Sequence, residues 1–168
     1  MLLGALMSGA KHGYDIAEYL EGVLGSTWSI GTSQLYSLLK RLEREGLVRS
    51  RVMPQKSRPS KRVFFITRRG REAFKAWLHR PTEHVRDMRV EFLAKLFFIS
   101  KFSPGSGKEL VDVQVQVLEE TKRRIASARR KEEDPYAKLV CGFKLATVNA
   151  WLKWLAHQAR AFVEKSGD

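Results

Sequence analysis

The 168-residue sequence has a single cysteine, Cys141, and no apolar run near the roughly 20 residues that a membrane-spanning helix needs. One cysteine excludes an internal disulfide and is typical of proteins in a reducing compartment. The opening residues MLLGALM are too short for a secretory signal and have no basic region before them. From these absences we expect a cytoplasmic protein that does not enter a membrane.

Signatures of catalysis and metal binding are also missing. The four histidines are not spaced with cysteines or with one another as in known metal sites, and no glycine-rich phosphate loop occurs. No histidine belongs to a recognisable nucleophile–base–acid signature. The sequence therefore predicts neither an enzyme nor a metal protein, and it calls for no cofactor.

Acidic residues are absent from residues 49–71, within a chain of net charge +13. The same window holds nine cations, which are Arg49, Arg51, Lys56, Arg58, Lys61, Arg62, Arg68, Arg69 and Arg71. Their mutual repulsion is unrelieved unless a polyanion supplies the counter-charge, which favours a nucleic-acid partner. An acidic membrane surface is the alternative, but its cations would flank an exposed apolar helix face instead of clustering in a strand–loop–strand segment.

A short amphipathic helix is predicted over residues 31–45. Leucines at helical spacing form one apolar stripe, and the opposite face carries Ser33, Ser37, Lys40 and Arg44. Hydroxyls suit base edges and long cations suit phosphates, so this helix fits a DNA groove, although many surface helices look alike. We expect Thr32 or Ser33 to cap its start and Gly46 to end it.

The surrounding pattern predicts a winged helix-turn-helix domain over residues 1–80. Helices at 2–7 and 12–24 precede the amphipathic helix, and β-branched and aromatic residues predict strands at 47–53 and 62–67. The loop between these strands carries Lys56, Arg58 and Lys61. A fourth helix follows at 68–78, with Thr67 as its expected cap. The protein is thus expected to be mainly α, with three helices, a two-stranded wing and a fourth helix in this domain.

Residues 84–168 predict a second, all-helical domain. The last helix carries apolar residues three and four apart, including Leu145, Val148, Leu152, Leu155 and Phe162. This is more apolar surface than one helical hairpin buries, so we expect these residues to form a homodimer; a self-contained core is the alternative. Phe92, Phe97, Trp151 and Trp154 could line an aromatic effector pocket or simply pack together.

Three ordered stretches resemble the PadR family of transcriptional regulators. They are LLGALMSGAKHGYDIAEYLE, SQLYSLLKRLEREGLVRS and FFITRRGREAFKAWL. The resemblance covers residues 2–78 closely and the remainder only in layout, as in the branch with a long C-terminal region. It implies a homodimer that binds palindromic operator DNA sequence-specifically, represses a promoter and is released by a small effector. A MarR-like winged-helix regulator and a non-specific basic DNA-binding protein are the alternatives.

The same resemblance implies which residues contact DNA. The recognition-helix pattern of the family falls on Ser33, Gln34, Tyr36, Ser37, Lys40 and Arg41, and its wing on Lys56, Arg58, Lys61 and Arg62. Arg44 joins them as an expected phosphate contact. Tyr36 lies at the flank of the apolar stripe, so core packing and phosphate contact are both open for it.

Overall fold

The computed structural model describes residues 1–7, 9, 11–25, 28–54 and 61–167. It divides into two compact units, Met1–His79 and Arg80–Asp168. The described chain is mainly helical, as the sequence predicts. No helix in these ranges is both long and apolar enough to cross a membrane.

Four helices form most of the first unit. They are α1 (Leu2–Met7), α2 (Gly13–Leu24), α3 (Thr32–Arg44) and α4 (Arg68–His79). In α2, α3 and α4 the buried residues recur every three or four positions and so share one helix face, whereas the short α1 buries three consecutive residues. In α3 the fully buried pair is Leu35 and Leu39.

The predicted cap at the start of α3 is wrong, whereas its predicted end is correct. The expected cap by Thr32 or Ser33 is wrong, because the helix already begins at Thr32 and extended Gly31 holds the N-cap position without a side-chain bond. The expected end at Gly46 is confirmed. Gly46 has a φ of +70°, which favours glycine, and the Leu47 N–H donates to the Leu42 carbonyl at 2.9 Å.

A small antiparallel sheet completes the first unit. Its strands are β1 (Lys11–His12), β2 (Val48–Met53) and β3 (Lys61–Ile66), in the order β1-β3-β2. The β2–β3 pair is the predicted wing, with Val48 opposite Ile66 and Met53 opposite Lys61. Strand β1 is an addition, since two residues are too few to show an alternating pattern.

Thr67 joins the end of α3 to the start of α4. Its Oγ1 accepts a hydrogen bond from the Gly70 N–H at 3.0 Å and donates to the Gly46 carbonyl at 2.8 Å. A Cβ on Gly70 would lie 2.1 Å from the Leu47 carbonyl oxygen, so the backbones approach too closely there for a side chain. The predicted Thr67 cap is confirmed.

The second unit is helical, as predicted, but its helices are interrupted by tighter and wider turns. In chain order these are a 3₁₀ turn (Val85–Asp87), a π-turn (Met88–Phe92), α5 (Leu93–Phe102), a 3₁₀ turn (Pro104–Ser106), α6 (Gly107–Lys131), α7 (Pro135–Trp154), a π-turn (Leu155–Ala159) and α8 (Arg160–Gly167). The last helix, which the sequence analysis treats as one element, is therefore divided by a π-turn.

Buried polar side chains hold the first residues of the second unit. The fully buried amide of Gln114 accepts from the Thr82 N–H at 2.6 Å and donates to the Thr82 carbonyl at 2.9 Å. Buried Lys95 donates to the Arg80 carbonyl at 2.8 Å and forms a 2.6 Å ion pair with Glu91. The segment that opens this unit is thus fixed to its helices.

Candidate nucleic-acid interface

The outer face of α3 is exposed to solvent in the described part of the chain. All seven residues of α3 that the sequence singles out are exposed, while Leu35 and Leu39 anchor the opposite face in the core. The seven are Ser33, Gln34, Tyr36, Ser37, Lys40, Arg41 and Arg44. Short polar groups lie toward the start of the helix and cations toward its end.

A cleft of about 670 Å³ lies between α3 and the wing. Its lining consists of Ser37, Lys40, Glu43, Arg44 and Arg62. Arg62 reaches this cleft because it lies two residues before buried Phe64 and so shares the inner face of β3. Three cations from two separate elements therefore converge on one concave surface.

Glu43 is the acidic residue that lines this cleft, and its carboxylate accepts two hydrogen bonds. Its Oε1 accepts from the Ser50 N–H at 3.0 Å and from the Ser50 hydroxyl at 2.7 Å. These bonds tie α3 to β2 and so fix the helix against the wing. Because Lys40, Arg44 and Arg62 line the same cleft, its net charge is positive.

The outer face of the wing is also basic. Arg49, Arg51 and Lys61 are exposed there, and the Arg49 guanidinium lies 5.4 Å from the ring centroid of Phe65. The sequence analysis did not single out Arg49 or Arg51, although their alternation with Val48 and Ser50 predicts that both side chains lie on the outer face of the strand. The predicted wing residues Lys56 and Arg58 lie outside the described residues.

Gln34 and Arg41 occupy a different flank of α3. Both line a cavity of about 360 Å³ whose other walls include Trp28, Leu38 and Trp77. Exposed Arg41 also lies 3.7 Å from the Glu45 carboxylate, one helical turn away. Gln34 and Arg41 thus line this cavity, whereas Ser37, Lys40 and Arg44 line the cleft toward the wing.

Tyr36 lies on the flank of α3 nearer β3. Its side chain is 37% exposed, and its ring centroid is 6.3 Å from that of buried Phe64. Part of the ring therefore contributes to the core and part faces solvent.

The residues predicted for dimerisation fall into three groups. Val148 and Leu155 are completely buried within a single chain, Leu145 and Leu152 are half-buried, and Phe162 is 42% exposed. A more exposed apolar strip lies elsewhere on α7, and it consists of Tyr136, Leu139 and Phe143.

Three of the four predicted aromatic pocket residues form ring contacts with one another. Fully buried Phe92 meets Trp154 edge-on with centroids 6.5 Å apart, and Trp154 meets Trp151 at 5.5 Å. Phe97 packs edge-on against Phe98 at 5.2 Å. Within the ranges that the structure describes, no group of three or more His, Cys, Asp or Glu residues is placed to hold a metal ion.

Three helices, a β-hairpin wing and a following helix make the first unit a winged helix-turn-helix domain. The model of the transcriptional regulator PadR-like family matches residues 2–76. Residues 2–76 therefore form a PadR-like family domain. The members matched here are named as transcriptional regulators and not as enzymes, in agreement with the sequence-based expectation, and the family match sets the MarR-like alternative aside.

Two curated relatives are similar in sequence. The negative transcriptional regulator PadR of Bacillus subtilis is 34% identical over 115 residues, which is 68% of this chain and 63% of that protein. A probable transcriptional regulator of Mycobacterium tuberculosis is 30% identical over 88 residues, covering 52% and 47%. The chain thus spans less than two thirds of either relative.

Solved structures of Bacillus subtilis PadR align over most of the chain. The complex with operator DNA gives a TM-score of 0.47 at 27% identity, covering 95% of this chain and 94% of that one. The complex with p-coumaric acid gives a TM-score of 0.42 at 26% identity, covering 95% of each.

Proposed function

We propose that this chain is a cytoplasmic, sequence-specific DNA-binding transcriptional regulator that represses a promoter as a homodimer. The main support is the cleft where Lys40 and Arg44 of α3 meet Arg62 of the wing. A concave surface of converging cations between a helix and a hairpin matches a phosphate backbone that passes beside a groove. The PadR-like family domain agrees with this chemistry.

In this mechanism α3 enters the major groove and the wing follows the adjacent backbone. Short polar groups near the start of α3 approach base edges, where hydroxyls and amides read donor and acceptor patterns. The proposed base-reading residues are Ser33, Gln34 and Ser37, with Tyr36 beside them. The proposed phosphate contacts are Lys40, Arg41, Arg44, Lys56, Arg58, Lys61 and Arg62.

The homodimer would form through the second unit. Tyr136, Leu139 and Phe143 are 72%, 69% and 71% exposed and lie along one stripe of α7, an arrangement that a solvated monomer seldom leaves uncovered. Phe162 supplies further apolar surface. A twofold dimer would present two copies of α3 to successive major grooves, which requires a palindromic operator.

Release by a small effector belongs to the same proposal. The second unit contains a cavity of about 650 Å³ whose walls combine Val85, Ile125 and Phe143 with the cations Arg124 and Lys144. This volume lies within the range of small-molecule sites. The similar Bacillus subtilis protein has been crystallised with p-coumaric acid, so this compound is a reasonable first probe.

Selection from a random library of DNA duplexes tests the proposal. We expect enrichment of an inverted repeat, and replacing Ser37 or Gln34 with alanine should relax the preference at individual bases. Salt-dependent binding without any enriched sequence would instead identify a non-specific basic DNA-binding protein. Binding only to anionic vesicles would indicate the membrane-surface alternative.

A further inference from the structure

Gly13, the first residue of α2, is in contact with the phenol ring of Tyr36. A Cβ built on Gly13 would lie 2.6 Å from both Cζ and Oη of Tyr36 and 3.1 Å from Cε1. Distances below about 3 Å are not tolerated between such atoms, so any larger residue here must displace the ring. The Tyr36 ring therefore packs directly against the backbone of Gly13.

The same ring also lies beside the wing. The centroid of the Tyr36 ring is 6.3 Å from that of Phe64, which is 1% exposed and belongs to the core. Phe64 is also the residue of β3 that pairs with Lys11, two residues before Gly13. One aromatic ring of α3 thus contacts the start of α2 and lies close to the base of the wing.

His12 connects the start of α2 to β3. Its backbone pairs with Val63 of β3, its N–H donates to the Asp15 carboxylate at 3.2 Å, and its ring nitrogen lies 3.4 Å from the Arg62 carbonyl. Gly13 therefore cannot retreat from Tyr36 without disturbing the strand pairing beside it.

We propose that Tyr36, which packs against Gly13 and lies beside Phe64, is a positioning residue that sets the orientation of α3 relative to the wing. This orientation determines base preference. The inference rests on the proposed DNA-binding function. Base edges and phosphates must be met simultaneously, so a small rotation of α3 against the wing misplaces one set of contacts.

Gly13→Ala is the sharpest probe, because one methyl group displaces the ring while alanine remains compatible with a helix. Gly22→Ala is the matched control: it lies in the same helix, and a Cβ there has nothing within 4 Å. Neither substitution removes a buried side chain. Thermal unfolding of both variants should remain cooperative, which separates a shifted ring from an unfolded domain.

The first measurement uses the free protein. Nuclear magnetic resonance should show a contact between the Tyr36 ring and the Gly13 α-protons, and Gly13→Ala should shift the resonances of Tyr36 and Phe64. Gly22→Ala should leave both rings unchanged. Unshifted ring resonances in Gly13→Ala would overturn the inference without reference to DNA.

The second measurement compares binding to the sequence selected by the unmodified chain. We expect Gly13→Ala and Tyr36→Leu each to lose about tenfold in affinity, the scale of one misplaced base contact, and to lose sequence preference. Gly22→Ala should bind normally, and Gly13→Ala should add no loss in the Tyr36→Leu background. Normal binding by Gly13→Ala, or a full additional loss from Gly13→Ala in the Tyr36→Leu background, would refute the positioning role. Failure of the unmodified chain to select any sequence would contradict the proposed function itself.

Discussion

Arg62 is the wing cation that shares a cleft with α3, and its replacement by alanine tests the electrostatic basis of the proposed function. Lys40, Arg44 and Arg62 line the cleft, so DNA phosphates lying there would be neutralised and would release their condensed counterions. Each neutralised phosphate contributes about 0.9 to the slope of log affinity against log salt. Because the proposed homodimer carries two copies of Arg62, Arg62→Ala should make the slope shallower by about 1.8.

The expected size of the effect follows directly. A fourfold rise in salt, from about 50 to about 200 mM, should therefore reduce the affinity loss of Arg62→Ala relative to the unmodified chain by about 12-fold. Fluorescence anisotropy with a labelled duplex at several salt concentrations measures both slopes. Lys75→Ala is the control, because Lys75 is an exposed cation of α4 outside the cleft. An unchanged slope in Arg62→Ala, or an equal change in Lys75→Ala, would refute the assignment of the cleft to phosphate.

Three further changes have distinct expected outcomes. Glu43→Gln keeps an acceptor for Ser50 but removes the negative charge from the cleft, so duplex affinity should rise about two- to fivefold at low salt; a fall would contradict the placement of the cleft on DNA. Gln114→Leu leaves a buried N–H and carbonyl unpaired, and urea unfolding should show a loss of about 2–4 kcal/mol, whereas Gln116→Leu on the exposed face of α6 should change stability little. Phe143→Asp should shift sedimentation toward the monomer if α7 is the dimer surface, and an unchanged dimer would exclude that surface.

Local patterns explain why the first unit is predictable from sequence. The leucines of α3 repeat at helical spacing, Gly46 supplies the positive φ at its end, and the strands of the wing contrast sharply with the helices around them. The N-cap of α3 escaped this reasoning. Gly31 rather than Thr32 holds the N-cap position, because one-residue shifts at helix ends are invisible to periodicity.

Tertiary contacts account for what the sequence does not reveal. The contact between Tyr36 and Gly13 joins residues that are 23 positions apart in the sequence, and no local sequence pattern predicts it. The apolar repeat of the last helix shows that Val148 and Leu155 are buried, but periodicity alone does not distinguish burial within one chain from burial between two. Likewise, buried Lys95 lies in an apolar stretch, and its partners Arg80 and Glu91 become apparent only in the folded unit.

The position of α3 on DNA tests the central claim most directly. Cys141 is the only cysteine, so a Cys141→Ser background allows a DNA-cleaving reagent to be attached at Ser37→Cys alone. On the selected duplex, we expect two clusters of cuts separated by about 34–36 Å, or one helical turn, as two copies of α3 in successive major grooves require. Reagent attached at exposed Lys153→Cys in the second unit is the control. Diffuse cutting from Ser37→Cys, or the same pattern from both positions, would contradict the claim that α3 reads the DNA.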